Sequence, residues 1–220
     1  MPRTDPAGRI VQIRWDTTLT SEQYVTQEAW RCATLEQCPL HPEGDCGLVG
    51  HGSYTRKSPT GVRVARLLCP KSGVTISLLP DFLAARMPGT LEEIEGVVAA
   101  AQAARTTEGA AALLRPAESG EVVTLPSVLR WLRRRMIAVE AGLLAAVTSL
   151  PVLSGCAPTI VAVRERLGVV SALVALRRLA SHLLRTLPAP LGFGARARRR
   201  PERAVGHPHD MGPDPPERGQ

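Results

Sequence analysis

The chain has 220 residues, enough for one domain or two small ones, and with 44% apolar but only 3% aromatic side chains its core must be built from Leu, Val and Ala. A formal charge of +7 favours an acidic partner such as nucleic acid; Lys57 and Lys71 apart, all 27 basic side chains are arginine, a bias that GC-rich coding produces equally well. No apolar run follows Arg3, so no secretory signal is expected, and the longest apolar stretch, 141–150, is too short to span a bilayer, which points to a cytoplasmic, reducing setting without a membrane partner.

Residues 1–35 read as a leader, with a weak strand pattern over 10–15 and a single short helix over 21–33 that uses Ser21 as its N-cap. The next unit, 36–82, has β character. A run from His51 to Ser58 is closed by the turn Pro59-Thr60-Gly61, and apolar-polar alternation follows over 62–68 and again over 74–79, where Pro80 stops it.

From 88 to 187 the period becomes helical. Thr90 caps a helix carrying Leu91, Ile94, Val97, Val98 and Ala101, and Glu92 and Glu93 suit its first turn. A short helix over 108–115 is closed by Pro116, and 117–124 is polar. A third helix opens at Leu125 or Pro126 and runs toward Leu150, where Pro151 ends it. Its apolar stripe is Leu125, Val128, Leu129, Leu132 and Met136, and Arg130, Arg133 and Arg134 lie opposite. A further segment runs from Pro158 to Gly168. A last amphipathic helix is expected over 170–187, with Leu173, Leu176, Ala180, Leu183 and Leu184 apolar. Residues 188–220, rich in Pro, Gly and Arg and including Arg196, Arg198, Arg199 and Arg200, read as a disordered basic tail. There is no internal repeat.

Four of the five cysteines fall between Cys32 and Cys69. In a reducing compartment such clusters are metal ligands more often than disulfides. Cys38 and His41 have the two-residue gap that lets one tight turn present two donors, and Cys46 follows closely. Cys69-Pro-Lys-Ser-Gly73 has the form of a second knuckle in which Ser72 stands where another cysteine is expected. The candidate ligands are therefore Cys38, His41, Cys46 and Cys69, with zinc as the ion; Cys32 and His51 are alternative donors, and buried small thiols without metal are the competing reading. The expected fold class is α+β: a small zinc-ribbon-like β module, then a mainly α-helical region, then the tail.

The stretch 90–137, three helices with arginines on the last, is similar to a helix-turn-helix arrangement. Arg130, Arg133 and Arg134 would then face nucleic acid, with Arg56 and Arg66 as further contacts, although the gap from Arg115 to Leu125 exceeds a tight turn. A helical bundle with a solvated arginine face is the alternative.

Taken together, Cys38-Pro-Leu-His41, Cys46-Gly47, His51-Gly-Ser-Tyr-Thr-Arg56, Arg66-Leu-Leu-Cys69-Pro70 and Ser77-Leu-Leu-Pro-Asp-Phe82 resemble a bacterial family of uncharacterised, transposon-associated proteins. Those begin with a zinc-ribbon-like module and continue into helices like those of transposase DNA-binding regions; the resemblance covers about residues 36–136. It implies a DNA partner and knuckle roles for Cys38 and Cys69. Beyond Met136 only Glu140 and Glu165 are acidic before the tail, and no phosphate-cradling glycine loop or nucleophile elbow occurs, so the chain is expected to be non-catalytic and to take no small-molecule substrate. The alternative function is a protein-interaction helical module braced by a degenerate ribbon, its cue the Ala-rich surface over 97–114.

Overall fold

The computed structural model describes residues 10–104, 106–113 and 125–194. Two of its layers follow from the two hydrophobic periods. The sheet contains β1 (Ile10–Trp15), β2 (Val49–Thr55), β3 (Arg63–Cys69) and β4 (Val74–Pro80) in the order β1-β4-β3-β2. β2, β3 and β4 form an antiparallel meander, and β1 adds parallel to β4 at the far edge. Alternation along β3 sends Val64 to one face, with Tyr24, Leu79 and Phe82, and sends Ala65, Leu67 and Cys69 to the other, with Ile76 and Leu78. β4 is central and covered on both faces, which is why Leu78 and Leu79 are both fully buried.

The helical layer contains α2 (Leu91–Ala103), α3 (Thr107–Leu113), α4 (Leu125–Ser149), α5 (Ile160–Leu167) and α6 (Ala172–Leu179). Thr90 caps α2 in a full capping box with Glu93. α4 runs unbroken over 25 residues until Pro151 begins a 3₁₀ turn. The main helical core joins Ile94, Val98, Val139, Leu143, Ile160, Val163, Leu173 and Leu176. Part of the Ala-rich stretch is used internally: Ala101, Ala110 and Ala111 pack on Val128 and Leu132 of α4, while Ala100 and Ala103 are exposed.

Four sequence expectations differ from the structure. The helix expected over 21–33 is only α1 (Ser21–Thr26), capped by Thr20 rather than Ser21, because Thr20 and Gln23 form a reciprocal capping box. Glu28 then takes a left-handed conformation, φ 47°, and a 3₁₀ turn (Ala29–Arg31) follows, which brings Trp30 within 5.9 Å of Tyr24. Residues 10–35 are not a separate leader, since β1 is a strand of the sheet and Tyr24 is fully buried in its core. The helix expected over 170–187 ends at Leu179 and gives way to a 3₁₀ turn (Ser181–Leu183). Residues 188–194 do not belong to a loose tail: Leu191 is fully buried, and a Cβ on Gly192 would collide with the Leu187 carbonyl. The tail expected beyond 194 and the polar stretch 117–124 lie outside the described residues, as does the start of the leader.

Buried charge joins the two layers. Arg177 of α6 is fully buried and donates to the carbonyls of Leu191 (3.0 Å), Leu83 (2.7 Å) and Pro190 (2.6 Å). Burial pushes its guanidinium down to about 9, so it stays charged at neutral pH. Asp81, after β4, accepts a fork from Arg14 of β1 and an ion pair from Arg178 of α6. Glu95 of α2 is fully buried and caps α6 from another helix, accepting from the amides of Ala172 and Leu173, the Ser171 hydroxyl and Arg164. A carboxylate at a helix N-terminus is favoured by the orphan amides and the helix dipole together.

Arg177→Met keeps bulk but orphans the buried carbonyls of Leu83 and Leu191, each costing about 1–3 kcal/mol, while the Pro190 carbonyl keeps the Ala85 amide. Urea unfolding should show a loss of about 3 kcal/mol or more. Arg178→Ala, at the exposed end of the same network, should lose about 1 kcal/mol or less. Equal losses would contradict this account of the joint.

Candidate metal centre and basic surfaces

The first knuckle is a local consequence of its own hydrogen bonds. The His41 amide donates to the Cys38 carbonyl at 3.1 Å, and the Gly44 amide to the His41 carbonyl at 3.0 Å, so two successive turns place both side chains on one side of the chain. Cys46 follows and is buried. The β2–β3 hairpin then carries the chain to the second knuckle, where Cys69 ends β3 and the Gly73 amide closes the turn onto the Cys69 carbonyl at 2.8 Å. Gly73, at φ 66°, supplies the left-handed residue this turn needs.

The ligand atoms of Cys38, His41, Cys46 and Cys69 all lie within 4.8 Å of one another. His41 presents Nδ1, which is 3.3 Å from the Cys69 sulfur and 3.7 Å from the Cys38 sulfur. A tetrahedral ion bonded at about 2.0 Å to nitrogen and about 2.3 Å to sulfur needs donors roughly 3.5–3.8 Å apart, and these nitrogen–sulfur distances lie close to that range. Four donors from two turns separated by a hairpin thus form one group that can hold a metal ion.

Ser72 does not stand in for a lost ligand. Burial pushes the Cys69 thiol up, but the Ser72 hydroxyl and amide both hydrogen-bond its sulfur, with smaller help from Cys38 and Cys46, and the balance lowers it to about 6. Burial, then hydrogen bonds with Cys38 and Cys69, pushes Cys46 up to about 11. Binding of an ion would favour the deprotonated thiols of this group and release their protons. The alternative donors stand apart: Cys32 is exposed, and His51 is exposed on β2. Cys156 is half-buried in the helical layer and donates to the Ala157 carbonyl.

The predicted nucleic-acid residues divide. Arg130, Arg133 and Arg134 are exposed along α4 and, with Ser127 and Ile137, line a shallow groove. Arg133 makes an exposed ion pair with Glu108 at 3.7 Å, of a kind worth little and easily exchanged for phosphate. Arg135, between them in sequence, is buried; it donates to the Pro88 carbonyl and lies 3.8 Å over the Trp131 ring. Arg56 does not join this surface, because it donates to the carbonyls of Ala84 and Met87 and braces the loop before α2. Arg66 lies half-buried on β3, away from α4. Sequence reasoning did not reach the hydrogen-bonding role of Ser72, for which its place within the knuckle was the available signal.

No protein-family profile, curated protein or solved structure matches this chain. Among the described residues no helix is long and apolar enough to cross a membrane.

If the four donors hold a structural ion, Cys69→Ser and His41→Ala each remove bound metal and lower the melting temperature by roughly 10–20 °C. Cys32→Ser and Cys156→Ser leave both unchanged. Metal content by mass spectrometry and thermal melts with and without a chelator check this.

Proposed function

We propose that the chain is a non-catalytic, zinc-stapled DNA-binding protein, and that α4 makes the principal contact. Three thiols and an imidazole gathered within 4.8 Å of one another suit zinc over the hard cations, which take oxygen donors. The observation that carries the DNA reading is the exposure of Arg130, Arg133 and Arg134 on one side of the N-terminal half of a helix, with Glu108 the only carboxylate paired with them among the described residues. Arginine forks bind phosphate and guanine edges in such a setting. The contact between α3 and α4 belongs to this reading, although the connection between them is longer than a tight helix-turn-helix turn. The resemblance of residues 36–136 to transposon-associated proteins extends the proposal to an accessory or remnant factor of a mobile element.

A second reading has its own support. Ile137 and Leu144 are 66% and 55% exposed on the same side of α4, which suits an apolar protein partner.

Fluorescence anisotropy with a duplex, from 50 to 200 mM salt, separates them. The DNA reading predicts that affinity falls steeply with salt, and that alanine at Arg130, Arg133 and Arg134 together flattens the log–log slope by about 2–3. Salt-independent affinity, or an unchanged slope in the triple variant, would count against it. Loss of self-association or partner binding on Ile137→Ser with Leu144→Ser, at unaltered DNA affinity, would favour the second.

A further inference from the structure

Arg130, Arg133 and Arg134 repel one another. Arg130 lies three and four residues from the other two, the spacings at which like charges on a helix meet and destabilise it. All three are exposed, and with Ser127 and Ile137 they line the groove, a concavity of about 440 Å³. Positive charge gathered in this way attracts an anion, from the protein itself or from a partner.

α3 brings one such anion. Its first turn is set locally: the Ala110 amide donates to the Thr106 carbonyl at 3.0 Å, and the Gly109 amide to the Thr106 hydroxyl at 3.0 Å. Ala110 and Ala111, both buried, then dock the helix on Val128 and Leu132 of α4. From this fixed turn Glu108 reaches Arg133 at 3.7 Å, longer than the roughly 2.7–2.9 Å of a charge-assisted hydrogen bond. The two side chains are 60% and 59% exposed, so the pair adds little to a docking that the alanines already secure. Glu108 is not among the residues that line the groove; it holds Arg133 from the α3 side and leaves the concavity open.

We propose that Glu108 is a built-in competitor for nucleic acid: its carboxylate holds Arg133 in the free protein and yields it to a backbone phosphate when a duplex enters the groove. This role depends on α4 being the DNA-contacting helix, as proposed above, and adds the residue that limits its affinity. A carboxylate and a phosphodiester each carry one negative charge and offer acceptor oxygens to the same guanidinium fork, so one can replace the other on Arg133. Among the described residues no carboxylate pairs with Arg130 or Arg134. Phosphate therefore meets those two without a rival, but it must break the Glu108 pair to reach Arg133.

The test is fluorescence anisotropy with a duplex at about 50 and about 200 mM salt, on the full chain as wild type, Glu108→Gln, Arg133→Ala and the double variant. Glu108→Gln should tighten binding about two- to fivefold at the lower salt, the range that release of one exposed ion pair permits, and by less at the higher. Its melting temperature should stay near the wild-type value. In the Arg133→Ala background the same substitution should have no effect, which separates competition for Arg133 from general repulsion of DNA. Unchanged or weaker binding by Glu108→Gln, alongside salt-dependent binding by the wild type, overturns the competitor and leaves the DNA reading intact. An equal gain in the Arg133→Ala background also overturns it. Absence of salt-dependent duplex binding in the wild type overturns both.

Discussion

The N-terminal half depends on one constraint: three thiols and an imidazole from separate turns must share a small buried volume. Residues 32–48 contain no helix and no strand, only turns and a single bridge between Cys38 and His41, yet Cys38 and Cys46 are buried on the sheet. Such a loop offsets its ordering entropy only through Ala33, Leu35, Leu40 and Leu48, which pack beside the two cysteines on the sheet. A shared ion would supply a fixed endpoint, and each knuckle turn is closed by its own hydrogen bonds, His41 to Cys38 and Gly73 to Cys69. Ser72, in the second knuckle, extends this arrangement by favouring the deprotonated form of Cys69, one of the four clustered donors.

The same half is tied to the helices by polar groups rather than by a continuous apolar core. Asp81, Glu95 and Arg177 are essentially buried, and each is answered from a distant segment: β1 and α6 for Asp81, the start of α6 for Glu95, residues 83 and 190–191 for Arg177. Such groups add little net stability over apolar packing, but they are unforgiving of misalignment. They set the position of α6 on the sheet and dock residues 188–194. The cysteine–histidine group and the basic helix are therefore held on one scaffold.

What could be read from the sequence was local. The alternation over 62–68 and 74–79, the caps at Thr90 and Pro151, and the Cys38–His41 spacing each act over a few residues, and each element formed where its pattern lies. The gathering of Cys38, His41, Cys46 and Cys69 was legible for the same reason, since two knuckles across a hairpin are a short-range arrangement. The failures are long-range. Residues 170–187 keep a helical period throughout, but Leu184 and Leu187 are buried in the helical core beyond a 3₁₀ turn, and the chain after them returns to the Arg177 fork. Glu95 looks like a solvated acid on its own helix, because its partners are 69 to 78 residues away. Arg56 looks like a surface cation for the same reason. Charge in a sequence gives no sign of which carbonyl will receive it.

The central claim, that one ion joins the two knuckles, is tested most directly by zinc K-edge X-ray absorption on the purified protein. The account predicts a single first shell of three sulfurs at about 2.3 Å and one nitrogen at about 2.0 Å, in a one-to-one ratio of metal to chain. A shell dominated by oxygen, or no stoichiometric metal in protein prepared without chelator, would contradict it.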